Sequence, residues 1–295
     1  MEKYLSLLLI LSLALSLTAC GSKTGSNADA ADDAQTEDNT PAETPEADPV
    51  ELIVFAAASM TETMNQIKET YQQENPNVTI TYNFDSSGTL LKQITEGGAD
   101  CDLFISAAPK QMNALDGSLK DDAEKNPNGY DMIVPGSRVD LLENKVTLTV
   151  PEGNPKGIES FDQLSELLKS GDVLLAIGNS DVPVGQYTLK IFDYYGLDEA
   201  ALSAAGVLTY GNNVKEVTSQ VSEAAADCGI IYATDAFSAG LTMVDSATPE
   251  MCGQVIYPAA VMQGEKEQAA QAFLDYLQTD GAMEVFESVG FSPVA

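Results

Sequence analysis

The sequence predicts an α/β protein of two domains, each a sheet of mainly parallel strands covered by helices. Two observations carry that expectation. Short apolar runs of strand length alternate with stretches of helical period along the body of the chain, and that body, Val50 to Ala295, is long enough for one large domain or two smaller ones. Repeated strand–helix units imply parallel strands with helices on both faces.

The elements follow in order. Glu51–Ala56 reads as a buried strand, after which Met60, Met64, Ile67 and Tyr71 share one helix face. Val78–Tyr82 is a second strand, leading to a helix with Leu90, Leu91 and Ile94, and Asp102–Ser106 is a third. A second series runs through Lys145–Val150, a helix from Phe161 to Lys169, Val173–Ile177 and a helix from Gly185 to Tyr195. Val207–Tyr210, a helix with Val214, Val217 and Val221, and Gly229–Ala233 continue it. Gln254–Tyr257 then precedes two helices, Gly264 to Gln278 and Gly281 to Ser288. The polar stretch from Leu115 to Ile133 stands apart as a surface insertion near the hinge.

Ahead of the body, Glu2 and Lys3 introduce an apolar run from Leu5 to Ala19, too short for a stable membrane span and suited to the core of a signal peptide, residues 1–19. Leu17-Thr-Ala-Cys20-Gly21 resembles the lipobox at which a bacterial prolipoprotein is lipidated on cysteine, which makes Cys20 the lipid anchor. From Gly21 to Pro49 the chain is acidic, lacks aromatic residues and has Lys23 as its only base, so it cannot build a core. Residues 20–49 are therefore expected to be a tether with a reach on the order of 30 Å.

Composition excludes several functions. The chain has 14 basic and 45 acidic residues, a net charge of -31 and no histidine. Ser-His-Asp and Cys-His pairs and imidazole-bound zinc are thus out. Nucleic acid, bound mainly through Lys and Arg, is an unsuitable partner. Membrane contact is expected through the lipid alone. Cys101, Cys228 and Cys252 remain beside Cys20, and a Cys228–Cys252 bridge and free thiols are equally compatible with the sequence.

In a parallel sheet, ligands sit where strands turn into helices, because unpaired N–H groups and the helix dipole favour an anion there. Four such turns stand out. Phe55-Ala-Ala-Ala-Ser59 permits close backbone approach, although Ser59 and Glu62 also have capping-box spacing. Phe84-Asp-Ser-Ser-Gly-Thr-Leu90 brings hydroxyls and a glycine to a helix start. Val182-Pro-Val-Gly185 has a proline that fixes the approach and a glycine that admits a ligand, and Gly211-Asn-Asn-Val214 has asparagines suited to N-caps.

The wording and order of these turns resemble the periplasmic molybdate-binding proteins of bacterial ABC importers. The likeness spans Val50 to Ala295 and is clearest at Val54–Ser59, Ser86–Leu90, Asp102–Ala107, Val182–Gly185, Gly229–Asp235 and Phe286–Phe291. It implies a type II periplasmic-binding-protein fold of two lobes joined by crossover strands, with 50–146 and 255–295 as lobe I and 147–254 as lobe II. It also implies a molybdate site made of Ser59 and Ser87, the backbone N–H groups of Val184 and Val214, and the Tyr232 phenol. The metal would be held only as an oxyanion, through its oxygens. Relatives often have alanine at the Val184 position, a harmless departure for a main-chain contact. The further implications are a monomer, no cofactor, no enzymatic activity, tungstate binding beside molybdate, and an ABC importer permease as partner.

Sulfate or another anion is the alternative ligand. Ferric iron would need several anionic or phenolate oxygens, and Tyr232 is one. Asp85, two residues before Ser87, would repel a dianion if it faced the pocket, and is expected to point to solvent or to cap the next helix.

Overall fold

A computed structural model describes residues 48–294, so the signal peptide, Cys20 and nearly all of the tether lie outside the described residues. Strand β1 (Val50–Ala57) sets out the layers. Leu52, Val54 and Ala56 join one apolar cluster, whereas Ile53 and Phe55 face another across the sheet. A strand buried on both faces belongs inside a sheet, and β1 pairs in parallel with β2 (Val78–Asp85) and β3 (Leu103–Ile105). The intervening helix α1 (Thr61–Glu74) buries Met64, Ile67 and Tyr71 in the first cluster, each such side chain contributing about 1.5–3 kcal/mol. Helix α2 (Ser87–Thr95) lays Leu90 and Ile94 on the other face beside Phe55 and Phe104.

That second face is completed by α3 (Pro109–Asn113) and the polar stretch after it. Leu115 and Ile133 are buried there, with Tyr130 and Met132 packed against them. Asn126, 1% exposed, ties the loop by accepting from the Tyr130 N–H and donating to the Asp116 and Tyr130 carbonyls. The segment read as a surface insertion, mostly exposed along its length, also covers one sheet face through its ends.

The chain leaves this layer through β4 (Val139–Asn144) and, after Lys145, enters a second sheet as β5 (Val146–Val150). There it runs through α4 (Phe161–Ser170), β6 (Leu175–Gly178), α5 (Pro183–Tyr195), α6 (Glu199–Ala204), β7 (Leu208–Gly211) and α7 (Val214–Ser222). It continues through β8 (Cys228–Tyr232), α8 (Ala233–Ser238), β9 (Thr242–Ser246) and α9 (Pro249–Cys252). It then returns to the first sheet as β10 (Val255–Val261), followed by α10 (Glu267–Tyr276), α11 (Asp280–Glu287) and β11 (Ser292–Pro293).

Among the described residues the first sheet has the order β11-β4-β10-β3-β1-β2 and the second β7-β6-β8-β5-β9. Two lobes result, joined by β4–β5 and by α9–β10. Both sheets are mixed. Their parallel pairs are the strand–helix units read from the sequence, and the antiparallel pairs involve β4, β5, β9, β10 and β11. Cys101, Cys228 and Cys252 are free thiols, and burial raises the pKa of all three.

Gly185 serves packing. A methyl group there would overlap the carbonyls of Gly178 and Asn179 and stand 2.7 Å from the Gly178 carbonyl carbon, so α5 sits against the end of β6 only because that Cβ is missing. Gly185→Ala should destabilise lobe II by about 1–3 kcal/mol and lower its melting temperature by several degrees. A scanning calorimetry trace identical to that of the parent protein would contradict this.

Candidate functional site

The turns singled out in the sequence converge between the lobes. Ala57, Ala58, Ser59, Asp85, Ser86, Ser87 and Ala107 of lobe I face Val182, Pro183, Val184, Val214 and Tyr232 of lobe II around a small cavity. Ser59, Ser87, Val184, Val214 and Tyr232 are therefore brought together, all 5% exposed or less. A wider depression of about 520 Å³ around Cys101, Asp102, Asp131 and Lys266 lies on lobe I away from these turns.

The lining hydroxyls and helix-start N–H groups are donors made available by local structure. Ser87 opens α2, whose cap is Ser86: the Ser86 hydroxyl accepts from the Thr89 N–H at 3.1 Å and its carbonyl accepts from Leu90. The Ser87 N–H precedes these bonds and stays free of the helix. Ser87 Oγ accepts from the Ala107 N–H at 2.9 Å, which leaves its own proton to donate. Val184 stands second in α5, whose first backbone bond runs from Gln186 N–H to the Val182 carbonyl, and Val214 opens α7. Their N–H groups precede the intrahelical ladder and belong to the positive ends of two helix dipoles. Proline at the first position of α5 fixes that approach.

Tyr232 supplies the most telling atom. Its hydroxyl is fully buried and has no hydrogen-bond partner among the described residues, a costly state unless a ligand completes it. Burial, with Tyr257, Tyr187 and Asp235 nearby, holds its pKa well above the usual phenol value, so it keeps its proton and remains a donor. Its ring is positioned edge-on between Tyr187, at 6.5 Å, and Tyr257, at 5.8 Å.

Ser59 and Asp85 depart from their sequence readings. Ser59 forms no capping box: it lies in the 3-10 turn Ala58–Met60 ahead of α1, and its hydroxyl meets Tyr257 Oη at 2.9 Å. Glu62, the other half of that motif, reaches across to Lys215 at 2.8 Å. Asp85 neither caps α2 nor simply faces water. Its carboxylate, at the cavity edge, accepts from the Ser86 N–H at 2.7 Å and from Asn213 Nδ2 of the opposite lobe at 3.2 Å. Those donors neutralise part of its field and make it a contact between lobes. Asn213 is also the N-cap of α7, the role expected for it. Lys92 and Asp181 add an exposed cross-lobe pair at 2.7 Å, and Gly88 fits beneath Asp181 so closely that a side chain would strike its carbonyl. Sequence reasoning missed Tyr257 and Asn144 altogether, since a tyrosine on a strand and an asparagine at a strand end carry no motif.

Similarity to known proteins is consistent with this arrangement. The model of the family of bacterial extracellular solute-binding proteins matches residues 52–292. The chain belongs to that family. Within it the chain is of the ModA type: ModA of Escherichia coli, a molybdate-binding protein, is 32% identical over 252 residues, 83% of this chain and 90% of that one. YvgL of Bacillus subtilis, provisionally named an ABC transporter substrate-binding lipoprotein, is 32% identical over 246 residues, 82% of this chain and 86% of that one. The fold recurs in the periplasmic molybdate-binding protein of Azotobacter vinelandii, with TM-score 0.65 and 20% identity over 83% of this chain and all of that one. It recurs also in the sulfate-binding protein SubI of Mycobacterium tuberculosis, with TM-score 0.65 and 18% identity over 83% and 87% of the two chains.

Behind Tyr232 this solute-binding protein buries Asp235, 1% exposed and 3.2 Å from Lys215, with no aligned hydrogen-bond donor on either oxygen among the described residues. Burial raises its pKa to about 6, against the opposing pull of Lys215. A folded pKa above the unfolded value of about 3.9 means that the folded state holds the extra proton, so this group's contribution to stability falls as pH rises from about 4 to about 6. Asp235→Asn should therefore compare more favourably with the parent in melting temperature at about pH 7.5 than at about pH 5. The same difference at both values would mean that Lys215 fully neutralises the carboxylate.

Proposed function

We propose that the protein is an extracytoplasmic binding lipoprotein that captures molybdate, and tungstate with it, and delivers the anion to the permease of an ABC importer. The observation that carries this reading is a small cavity between the lobes, lined by buried residues that bring hydroxyls and helix-start N–H groups from both lobes, with no cation in the wall among the described residues. Molybdate is fully ionised at neutral pH, so its oxygens accept hydrogen bonds and offer no proton. Ser59, Ser87, Tyr232 and the N–H groups of Val184 and Val214 would hold those oxygens, each bond to a charged group contributing about 1.5–3 kcal/mol. Similarity to the molybdate-binding protein of Escherichia coli supports the same ligand. Sulfate has the same shape and charge, and SubI has the same fold. Discrimination would rest on size, with donors spaced for the larger anion meeting sulfate poorly.

The anchor belongs to the proposal as well. Lipid on Cys20 and a tether to residue 49 would hold a monomeric body clear of the membrane, in keeping with the lipoprotein description of YvgL. No cofactor or catalytic step enters.

Molybdate and tungstate at micromolar concentration should each raise the melting temperature of the tether-free body, because a ligand that binds only the folded state stabilises it. A shift with sulfate or phosphate and none with molybdate would overturn the assignment. By isothermal titration, Ser87→Ala and Tyr232→Phe should each weaken molybdate binding by about 1–3 kcal/mol while the fold survives. Unchanged affinity in both would mean that the anion binds elsewhere.

A further inference from the structure

We infer that Tyr257, acting through Ser59, fixes the hydrogen-bond polarity of the cradle and so makes it select fully deprotonated oxyanions over protonated ones. The inference rests on the oxyanion reading above, and names residues outside the set assigned there.

One chain of hydrogen bonds runs from the crossover to the cavity. Asn144 ends β4 at the crossover between lobes, and its Oδ1 accepts from the Lys145 N–H at 2.8 Å. That bond settles which end of the amide is which, and Nδ2 then donates to Thr234 Oγ1 at 3.0 Å and to Tyr257 Oη at 3.2 Å. A phenol hydrogen lies near the ring plane, with its main lone pair on the other side. With the lone pair taken by Asn144, the proton of Tyr257 is directed to Ser59 Oγ, its other partner within hydrogen-bond distance, at 2.9 Å. Tyr257 is 0% exposed, so water offers no other partner. Ser59 thus receives a hydrogen bond from behind and turns its own proton to the cavity it lines.

Ser87 is oriented the same way by the Ala107 N–H, which no side-chain substitution removes. At Ser59 the orienting donor is a side chain and can be edited. Polarity matters because monohydrogen phosphate carries an O–H that needs an acceptor. With the Ser59 and Ser87 oxygens engaged from behind, a phosphate O–H that faces them meets protons rather than lone pairs, and that penalty falls on phosphate and not on molybdate. Without Tyr257 the Ser59 oxygen is released to accept.

Tyr257→Phe keeps the ring that packs at 5.8 Å from Tyr232 and 5.2 Å from Phe291, so packing alone predicts no change in selectivity. Competition titration of molybdate against phosphate on the whole tether-free body provides the test. The molybdate-to-phosphate affinity ratio should fall about tenfold in Tyr257→Phe, about one hydrogen bond's worth. Asn144→Ala, which frees the phenol proton to turn away, should move the ratio in the same direction and covers the case in which Tyr257→Phe does not fold. In a Ser59→Ala background, Tyr257→Phe should leave the ratio where Ser59→Ala alone puts it. A parent protein that fails to bind molybdate would sink the functional reading. A parent that binds it, with variants that fold and keep the parent ratio, would sink this inference alone.

Discussion

The arrangement of this protein follows from one constraint: in the buried cavity proposed for an anion, the two serine hydroxyls have their acceptor sides already occupied and so present protons. Ser87 is satisfied from behind by the Ala107 backbone, and Ser59 by the Tyr257 phenol. Tyr232 is left with a buried hydroxyl that no described residue completes. The helix starts at Ser87, Val184 and Val214 add N–H groups that their helices cannot use. Fixed dipoles of this kind stabilise negative charge without a lysine or arginine in the wall, and so the net charge of -31 does not disqualify the site. What that overall charge does oppose is the arrival of anions over longer distances, chiefly at low salt.

Placing such donors on two lobes explains the topology. The parallel strands β1, β2, β6 and β7 end at the cavity, each handing the chain to a turn that faces it. The antiparallel strands have a different task, since β4–β5 and α9–β10 carry the chain from one lobe to the other. Polar contacts across the cleft, Glu62 with Lys215 and Asp85 with Asn213, then hold the lobes in register around the cavity. The Glu62–Lys215 pair is exposed and screened by water and salt, so it adds little to stability.

Much of this was legible in the sequence wherever a short-range pattern sufficed. Met60, Met64, Ile67 and Tyr71 fall on one helix face by their spacing, and all are buried. Each of the four helix-start turns announced itself through small, hydroxyl or proline residues beside an apolar run. Strands β4 and β9 did not, because Val-Asp-Leu-Leu-Glu-Asn and Thr-Met-Val-Asp-Ser mix polarity in half-exposed positions. The capping-box spacing at Ser59 misled for a related reason: the local partner Glu62 was outcompeted by Tyr257, which lies 198 residues away in the chain. Asp85 likewise found its second partner in the opposite lobe. Long-range side-chain pairs are invisible to periodicity, and they are the contacts that shape the cradle.

Diffraction from crystals grown with molybdate, collected on either side of the molybdenum absorption edge, addresses the central claim most directly. One anomalous peak is expected in the cavity between lobes, with the anion's oxygens within hydrogen-bond distance of the hydroxyls of Ser59, Ser87 and Tyr232 and the N–H groups of Val184 and Val214. A molybdenum peak elsewhere, or a fully occupied cavity without molybdenum, would contradict it.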